Sequence, residues 1–259
     1  MMDHVGEHIA QAALFAGFAQ ASFIAGAILA WRVPRLTRPL WIGLIMAFGA
    51  GAVISAMSID LVAVSYREAG VAPTAFGVLI GGVGYFLFIR VLDRSGAIES
   101  IAEADLEGPR PPTAREGRNL LIGAAVDGAP ESIAIGLTLH MMAAGVSAAL
   151  VGAVFVSGIP QALGISAALL ASGARMRRIL VRFSGLVVLG AVFGVVGYQL
   201  LEGAPHGVTA VIQSIAAGAM IVVVVNEMVP IAVRSAERWA GLAAMLGFVF
   251  AATVTWLYA

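Results

Sequence analysis

The chain has 259 residues, 60% of them hydrophobic and only 12% charged, with a mean hydropathy of +0.96. Soluble domains carry about 25% charged residues, so this composition excludes a soluble monomer and takes the bilayer as its solvent. The formal net charge is zero, so bulk charge names no partner and no nucleic-acid partner is expected; the absence of cysteine excludes disulfides, thiolate metal sites and a cysteine nucleophile.

A helix needs about 20 apolar residues to cross the hydrocarbon core. Eight stretches qualify, at about 9–31, 39–65, 73–92, 119–143, 146–172, 180–200, 207–233 and 240–258. They predict an all-α polytopic membrane protein with a single transmembrane domain. The opening MMDHVGEH has no basic segment, so span 1 is expected to serve as its own insertion signal. The one long connection, 93–118, is charged and broken by prolines, and reads as a linker with one short helix near 97–106.

All fifteen basic residues are arginines, and they sort by side. Arg32, Arg35 and Arg38 lie between spans 1 and 2. Arg90, Arg94, Arg110, Arg115 and Arg118 lie around loop 3–4. Arg175, Arg177, Arg178 and Arg182 lie between spans 5 and 6, and Arg234 and Arg238 between spans 7 and 8. Only Arg67 falls on the opposite side. The positive-inside rule makes the arginine side cytoplasmic and puts both termini outside, as expected in a bacterial inner membrane.

The ionisable residues inside spans are Asp60, Asp127, Glu131 and Glu227, with Ser157, Gln161 and Asn226 as neutral company. An acid at mid-bilayer costs roughly 2.5–3.5 kcal/mol on insertion scales, so each needs a proton, water or a cation. Asp127 and Glu131 stand four residues apart on one helix face, where like charges repel and a shared cation relieves the repulsion. Pro130 lies between them and frees the carbonyl of Val126; Pro160 and Pro230 do the same for Val156 and Asn226. Each proline alone could be a structural kink. Freed carbonyls in lipid are tolerated against protein, water or an ion, and three kinks beside buried polar groups point to a lined cavity. Met57 offers a soft thioether, though a methionine in a span is usually packing. His4 and His8, interleaved with Asp3 and Glu7, read either as an outer metal-collecting cluster or as a solvated helix end. His140 and His206 are peripheral.

Residues 50–60, AGAVISAMSID, and 217–227, AGAMIVVVVNE, both begin Ala-Gly-Ala and place an acid ten residues on, at Asp60 and Glu227. By the arginine topology the two spans run in opposite directions. This predicts an inverted repeat of spans 1–3 and 6–8 around spans 4–5, a 3+2+3 arrangement common in secondary transporters.

With these residues in place, the whole chain resembles the ZIP (Zrt/Irt-like) metal transporters. The family's span 4 carries a pattern like His-Asn-x-Pro-Glu-Gly, here Asp127-Gly128-Ala129-Pro130-Glu131-Ser132. Its span 5 pattern, His/Gln-Glu/Asn/Asp-x-Pro-His/Glu-Glu/Gly, reads here Ser157-Gly158-Ile159-Pro160-Gln161-Ala162. The stretches AFGAGAVISA and AAGAMIVVVVNEMVP are also similar to the family. The resemblance implies a pore site in spans 4 and 5, carried here by Asp127, Glu131 and Gln161. Gly128 and Gly158 have no side chain to give, so one metal is the more plausible count. The oxygen-rich set favours zinc less than a histidine site would, and tolerates Mn²⁺, Fe²⁺ or Mg²⁺ better. No prosthetic group is implied, and a homodimer is left open.

The expected function is divalent-metal uptake: Asp60 draws the ion at the outer mouth, Asp127, Glu131, Gln161 and Ser157 hold it, and Glu227 and Asn226 receive it inside. The alternatives are a proton or monovalent-cation pathway, or metal binding without transport. An intramembrane protease ranks last, since neither GxGD nor GxSG occurs.

Overall fold

The computed structural model describes residues 2–94, 114–141, 146–171, 173–201 and 204–258. Among these residues eight helical rods follow one another. The first, α1, runs Met2–Gln20 and, after a break at Ala21, Ser22–Arg32. A short 3₁₀ turn, Pro34–Thr37, leads to α2, Pro39–Ala69. Then come α3 (Val71–Arg94), α4 (Ala114–Met141), α5 (Ala148–Ala171), α6 (Met176–Gln199), α7 (His206–Ala236) and α8 (Trp239–Tyr258). No strand occurs among the described residues. The short helix expected near 97–106 lies outside them.

Seven of these helices are long and apolar enough to cross a membrane, which marks the chain as an integral membrane protein. The fourth predicted stretch, 119–143, coincides with α4, which is not among the seven. The same residues that make α4 interesting dilute its apolar character: Asp127 and Glu131 mid-helix, and Arg115, Glu116 and Arg118 at its start.

Burial sorts the helices into inner and outer. In their most apolar stretches α2, α5 and α7 are 61%, 67% and 61% buried, against 11% for α3 and 17% for α8. The outer faces carry Phe76, Leu79, Phe86, Leu87, Leu242, Leu246 and Phe250, all exposed as lipid-facing groups would be. The largest apolar cluster joins α2, α5, α7 and α8 with α1 and α4 through Met46, Val53, Ile135, Leu150, Met220 and their neighbours. A second, around Phe23 and Phe183 in edge-to-face contact, joins α1, α5 and α6.

The same features recur at matching positions in α2 and α7. Gly51 of the first Ala-Gly-Ala matches Gly218 of the second. Each helix then loosens from α to π geometry, at Met57–Ala63 and Val224–Met228, and each π stretch contains the acid, Asp60 or Glu227. Each helix ends on a residue of positive φ, Gly70 at 84° and Glu237 at 47°. Sequence neighbours α2 and α3 barely touch, as do α7 and α8; instead α2 packs on α8 and α3 on α7. Glycines make both contacts. A Cβ on Gly51 or Gly247 would run into the carbonyls of Ala244 or Phe48, and one on Gly81 or Gly218 into those of Ile215 or Val78. Small residues let helix backbones approach this closely where lipid offers no hydrophobic drive. Finally, α2 and α7 lie antiparallel: Gly43 at the start of α2 faces Ser235 and Ala236, while Ser65 Oγ near its end donates to Ala210 O at 2.8 Å.

Candidate functional site

The kinked helix α4 presents two polar faces. On one, Asp127 and Glu131 follow each other by one turn around Pro130. The Tyr85 hydroxyl of α3 donates to Asp127 Oδ1 at 2.8 Å. Tyr85 also lies within electrostatic reach of Glu131 and of Glu227 from α7, so the phenol of α3 feels acids from two other helices. Glu131 is only 7% exposed and makes no hydrogen bond to a described residue. Asn226 is exposed and Glu227 half-buried in the π stretch of α7.

On the adjoining face of α4, about 100° round the helix, stands Gln20, the last residue before the break in α1. Its amide donates to Gly128 O at 3.5 Å and to Ser132 Oγ at 3.3 Å. The seat exists because two positions lack side chains: a Cβ on Gly128 would stand 2.9 Å from Gln20 Nε2, and one on Gly190 would meet the Gln20 stem. Gly158 of α5 is filled in the same way. A Cβ there would strike Ser22 Oγ, a buried hydroxyl with no hydrogen-bond partner among the described residues. Both positions without a side chain of their own are therefore occupied by polar groups from either side of the α1 break.

In α5, Ser157 donates back to Val154 O at 2.9 Å and packs against Gly49 of α2, so its proton is committed to its own helix. Gln161 is 7% exposed and makes no hydrogen bond to a described residue, leaving its amide available. Met57 is buried in the largest apolar cluster, as packing would have it.

Asp60 stands apart from the group around Tyr85. It is 1% exposed and accepts a hydrogen bond on Oδ2 from Ser147 Oγ. That hydroxyl also caps α5 by accepting Leu150 N–H at 3.0 Å, and Ser147 N–H donates to Thr138 Oγ1 of α4 at 3.2 Å. The Thr255 hydroxyl of α8 also lies beside this carboxylate, although Asp60 Oδ1 and Thr255 Oγ1 are not within ordinary hydrogen-bond geometry of any polar atom among the described residues. An outer-mouth acid open to arriving ions was the expectation; the structure instead closes helices over this carboxylate.

Among the described residues no three or more His, Asp or Glu side chains are grouped closely enough to hold a metal ion. The His8 ring lies tilted against Tyr198 with centroids 5.8 Å apart, and the His4 side chain lies outside the described residues.

No protein-family model and no curated protein matches the chain.

Sequence reasoning missed Tyr85, Gln20, Ser22 and Ser147. A tyrosine in a span reads as an interfacial anchor, and Gln20 as interhelical glue. Ser147, three residues before Leu150, carries an N-cap pattern that could have been read.

Proposed function

We propose that the chain is an eight-span divalent-cation carrier of the ZIP type, built 3+2+3 around an inverted repeat, with both termini outside a bacterial cytoplasmic membrane. The observation that carries the reading is the carboxylate pair of half-buried Asp127 and buried Glu131, one turn apart in a helix containing Pro130, with Tyr85 donating to Asp127 and Glu227 within electrostatic reach of the same phenol. Two acids one turn apart in a span repel each other, and a shared cation removes that repulsion. The repeat is supported by the matched glycines, π stretches, acids and positive-φ ends of α2 and α7, and by their antiparallel packing. α4 takes the remaining span, its mid-helix acids tolerated because Asp127 meets Tyr85 of α3 and Glu131 is buried. The cargo is a divalent metal of the Zn²⁺, Mn²⁺ or Fe²⁺ class, with Mg²⁺ compatible with the oxygen donors.

One observation favours a second reading, a proton or monovalent-cation pathway or a metal binder that does not transport: among the described residues no acidic or histidine cluster larger than a pair is closely grouped. Flux into proteoliposomes separates the two. Under the proposal, at least one of Zn²⁺, Mn²⁺, Fe²⁺ and Mg²⁺ enters, and Glu131→Gln lowers that flux by at least about tenfold, as expected for loss of a metal-binding group. Folded protein that passes none of the four, or a Glu131→Gln variant that transports like wild type, overturns it.

A further inference from the structure

The first turns of α2 and α8 frame an open groove of about 510 Å³, within the ~300–1,000 Å³ of ligand sites. Each helix lines it with an apolar stripe at i, i+3, i+4 and i+7, running from Trp41 through Ile45 to Phe48 in α2 and from Trp239 through Leu242 to Leu246 in α8. Such a stripe covers about 10 Å of helix. At its far end Gly247 is pressed on the Phe48 carbonyl, and the Phe48 ring tilts against Phe250 with centroids 5.7 Å apart. At its near end both tryptophans are exposed. There the chain turns cationic: Arg38 directly precedes α2 and Arg238 directly precedes α8. Both are exposed, and neither makes an ion pair with a described residue. Gly43, one turn into α2, packs on Ser235 and Ala236, so the two junctions lie side by side. Residues 32–38 and 234–238 hold five arginines against one acid, Glu237.

We propose that this groove binds one anionic phospholipid of the cytoplasmic leaflet, with an acyl chain along the α2–α8 stripe and the phosphate at Arg38 and Arg238. The inference rests on the orientation proposed above and is independent of what the chain carries. The positive-inside rule puts this end at the cytoplasmic face, whose leaflet carries anionic lipid that basic pockets between spans recognise. The two halves of the site match the two halves of such a lipid. The stripe is wholly apolar and takes hydrocarbon, tryptophan rings suit the headgroup boundary, and a guanidinium pairs a phosphate through two parallel N–H donors. A second copy of this chain fits the groove less well. Closed twofold pairing sets one surface against itself, so it would bring each arginine-rich junction against its own copy with only Glu237 to offset the repulsion.

The test titrates the full chain, delipidated in detergent, with phosphatidylglycerol and with phosphatidylethanolamine of identical acyl chains, read by native mass spectrometry. Wild type is compared with Arg38→Gln/Arg238→Gln and with a control of equal charge change, Arg177→Gln/Arg178→Gln at the start of α6. All four arginines are exposed, and unfolding midpoints check that both variants keep the fold. The expected result is one saturable phosphatidylglycerol, bound more tightly than phosphatidylethanolamine. Arg38→Gln/Arg238→Gln should lower phosphatidylglycerol affinity by about tenfold or more and leave phosphatidylethanolamine unchanged, while the control pair binds as wild type does. Phosphatidylglycerol with brominated chains should quench tryptophan fluorescence more than its brominated phosphatidylethanolamine counterpart, and Trp41→Phe/Trp239→Phe should lose that excess. Equal affinity for the two lipids, or an equal loss in both arginine pairs, overturns the site, because the arginines then act only through the general surface potential. A dimer in detergent that binds no phosphatidylglycerol and shields both tryptophans from brominated lipid makes a second copy the occupant and overturns it equally.

Discussion

Replacing Gly81 with alanine adds one methyl group where α3 meets the Ile215 carbonyl of α7. The new Cβ would also lie 2.7 Å from the Ile215 carbonyl carbon and 2.9 Å from its Cα. None of these atoms can rotate away, because they belong to a helix backbone. The helices must part instead, and a gap of 0.5–1 Å forfeits about a quarter to a half of each van der Waals contact along the seam. Overpacking of this kind costs about 1–3 kcal/mol. Gly84 supplies the control on the same helix: nothing lies within 4 Å of a Cβ placed there. Alanine also improves helix propensity by about 1 kcal/mol over glycine, but that gain is common to both sites and cancels in the comparison. Gly81→Ala should therefore be less stable than Gly84→Ala by about 1–3 kcal/mol. Reversible unfolding in mixed micelles, followed by tryptophan fluorescence, measures the difference. The pair Gly81→Ala and Gly218→Ala shares one interface and should cost less than the sum of its parts, whereas Gly81→Ala with Gly247→Ala, in separate interfaces, should be additive. Equal midpoints for Gly81→Ala and Gly84→Ala would refute the close-packed seam.

The same unfolding measurement tests two further sites. Ser147→Ala removes both the donor to Asp60 and the cap on Leu150, and should cost about 2–4 kcal/mol, a charged hydrogen bond plus a helix cap. Ser157→Ala, whose hydroxyl serves Val154 of its own helix, should cost under about 1 kcal/mol. Glu237 is exposed with φ 47° where the matching turn has Gly70, so Glu237→Gly should stabilise the chain by about 1 kcal/mol through relief of backbone strain.

Hydropathy located the helices because length and apolar run are properties of contiguous sequence. Each of the eight predicted stretches overlaps a helix, most with ends within a few residues, α7 for instance running His206–Ala236 against 207–233, while α1 begins at Met2 against a predicted 9. The repeated Ala-Gly-Ala with its trailing acid also marked the stretches of α2 and α7 that later turn out to share π geometry and turn conformation. What hydropathy could not resolve is α4, where the acids that flag a site are the groups that weaken the signal for a span. Nor was the company kept by each acid legible. Asp60 and Glu227 match in sequence, yet one is sealed under Ser147 and the other joins Tyr85 and Asp127, because that outcome depends on which helix covers each π stretch. Gln20 and Ser22 escaped for a related reason. Their partners, Gly128 and Gly158, are defined by missing side chains, and a vacancy in one helix does not say which distant residue fills it.

The exchange of partners between α2–α8 and α3–α7 has a consequence for biogenesis. The notch at Gly51 and Phe48 in α2 is filled by α8, which is synthesised after all the helices between them, and α3 waits on α7 in the same way. α2 and α3 can enter the bilayer early, but they cannot reach native packing until α7 and α8 have been made. Assembly is therefore a late, high-contact-order event. During synthesis the open glycine notches of the first helices face lipid or other membrane proteins, which makes the unfinished chain the stage most exposed to mispairing.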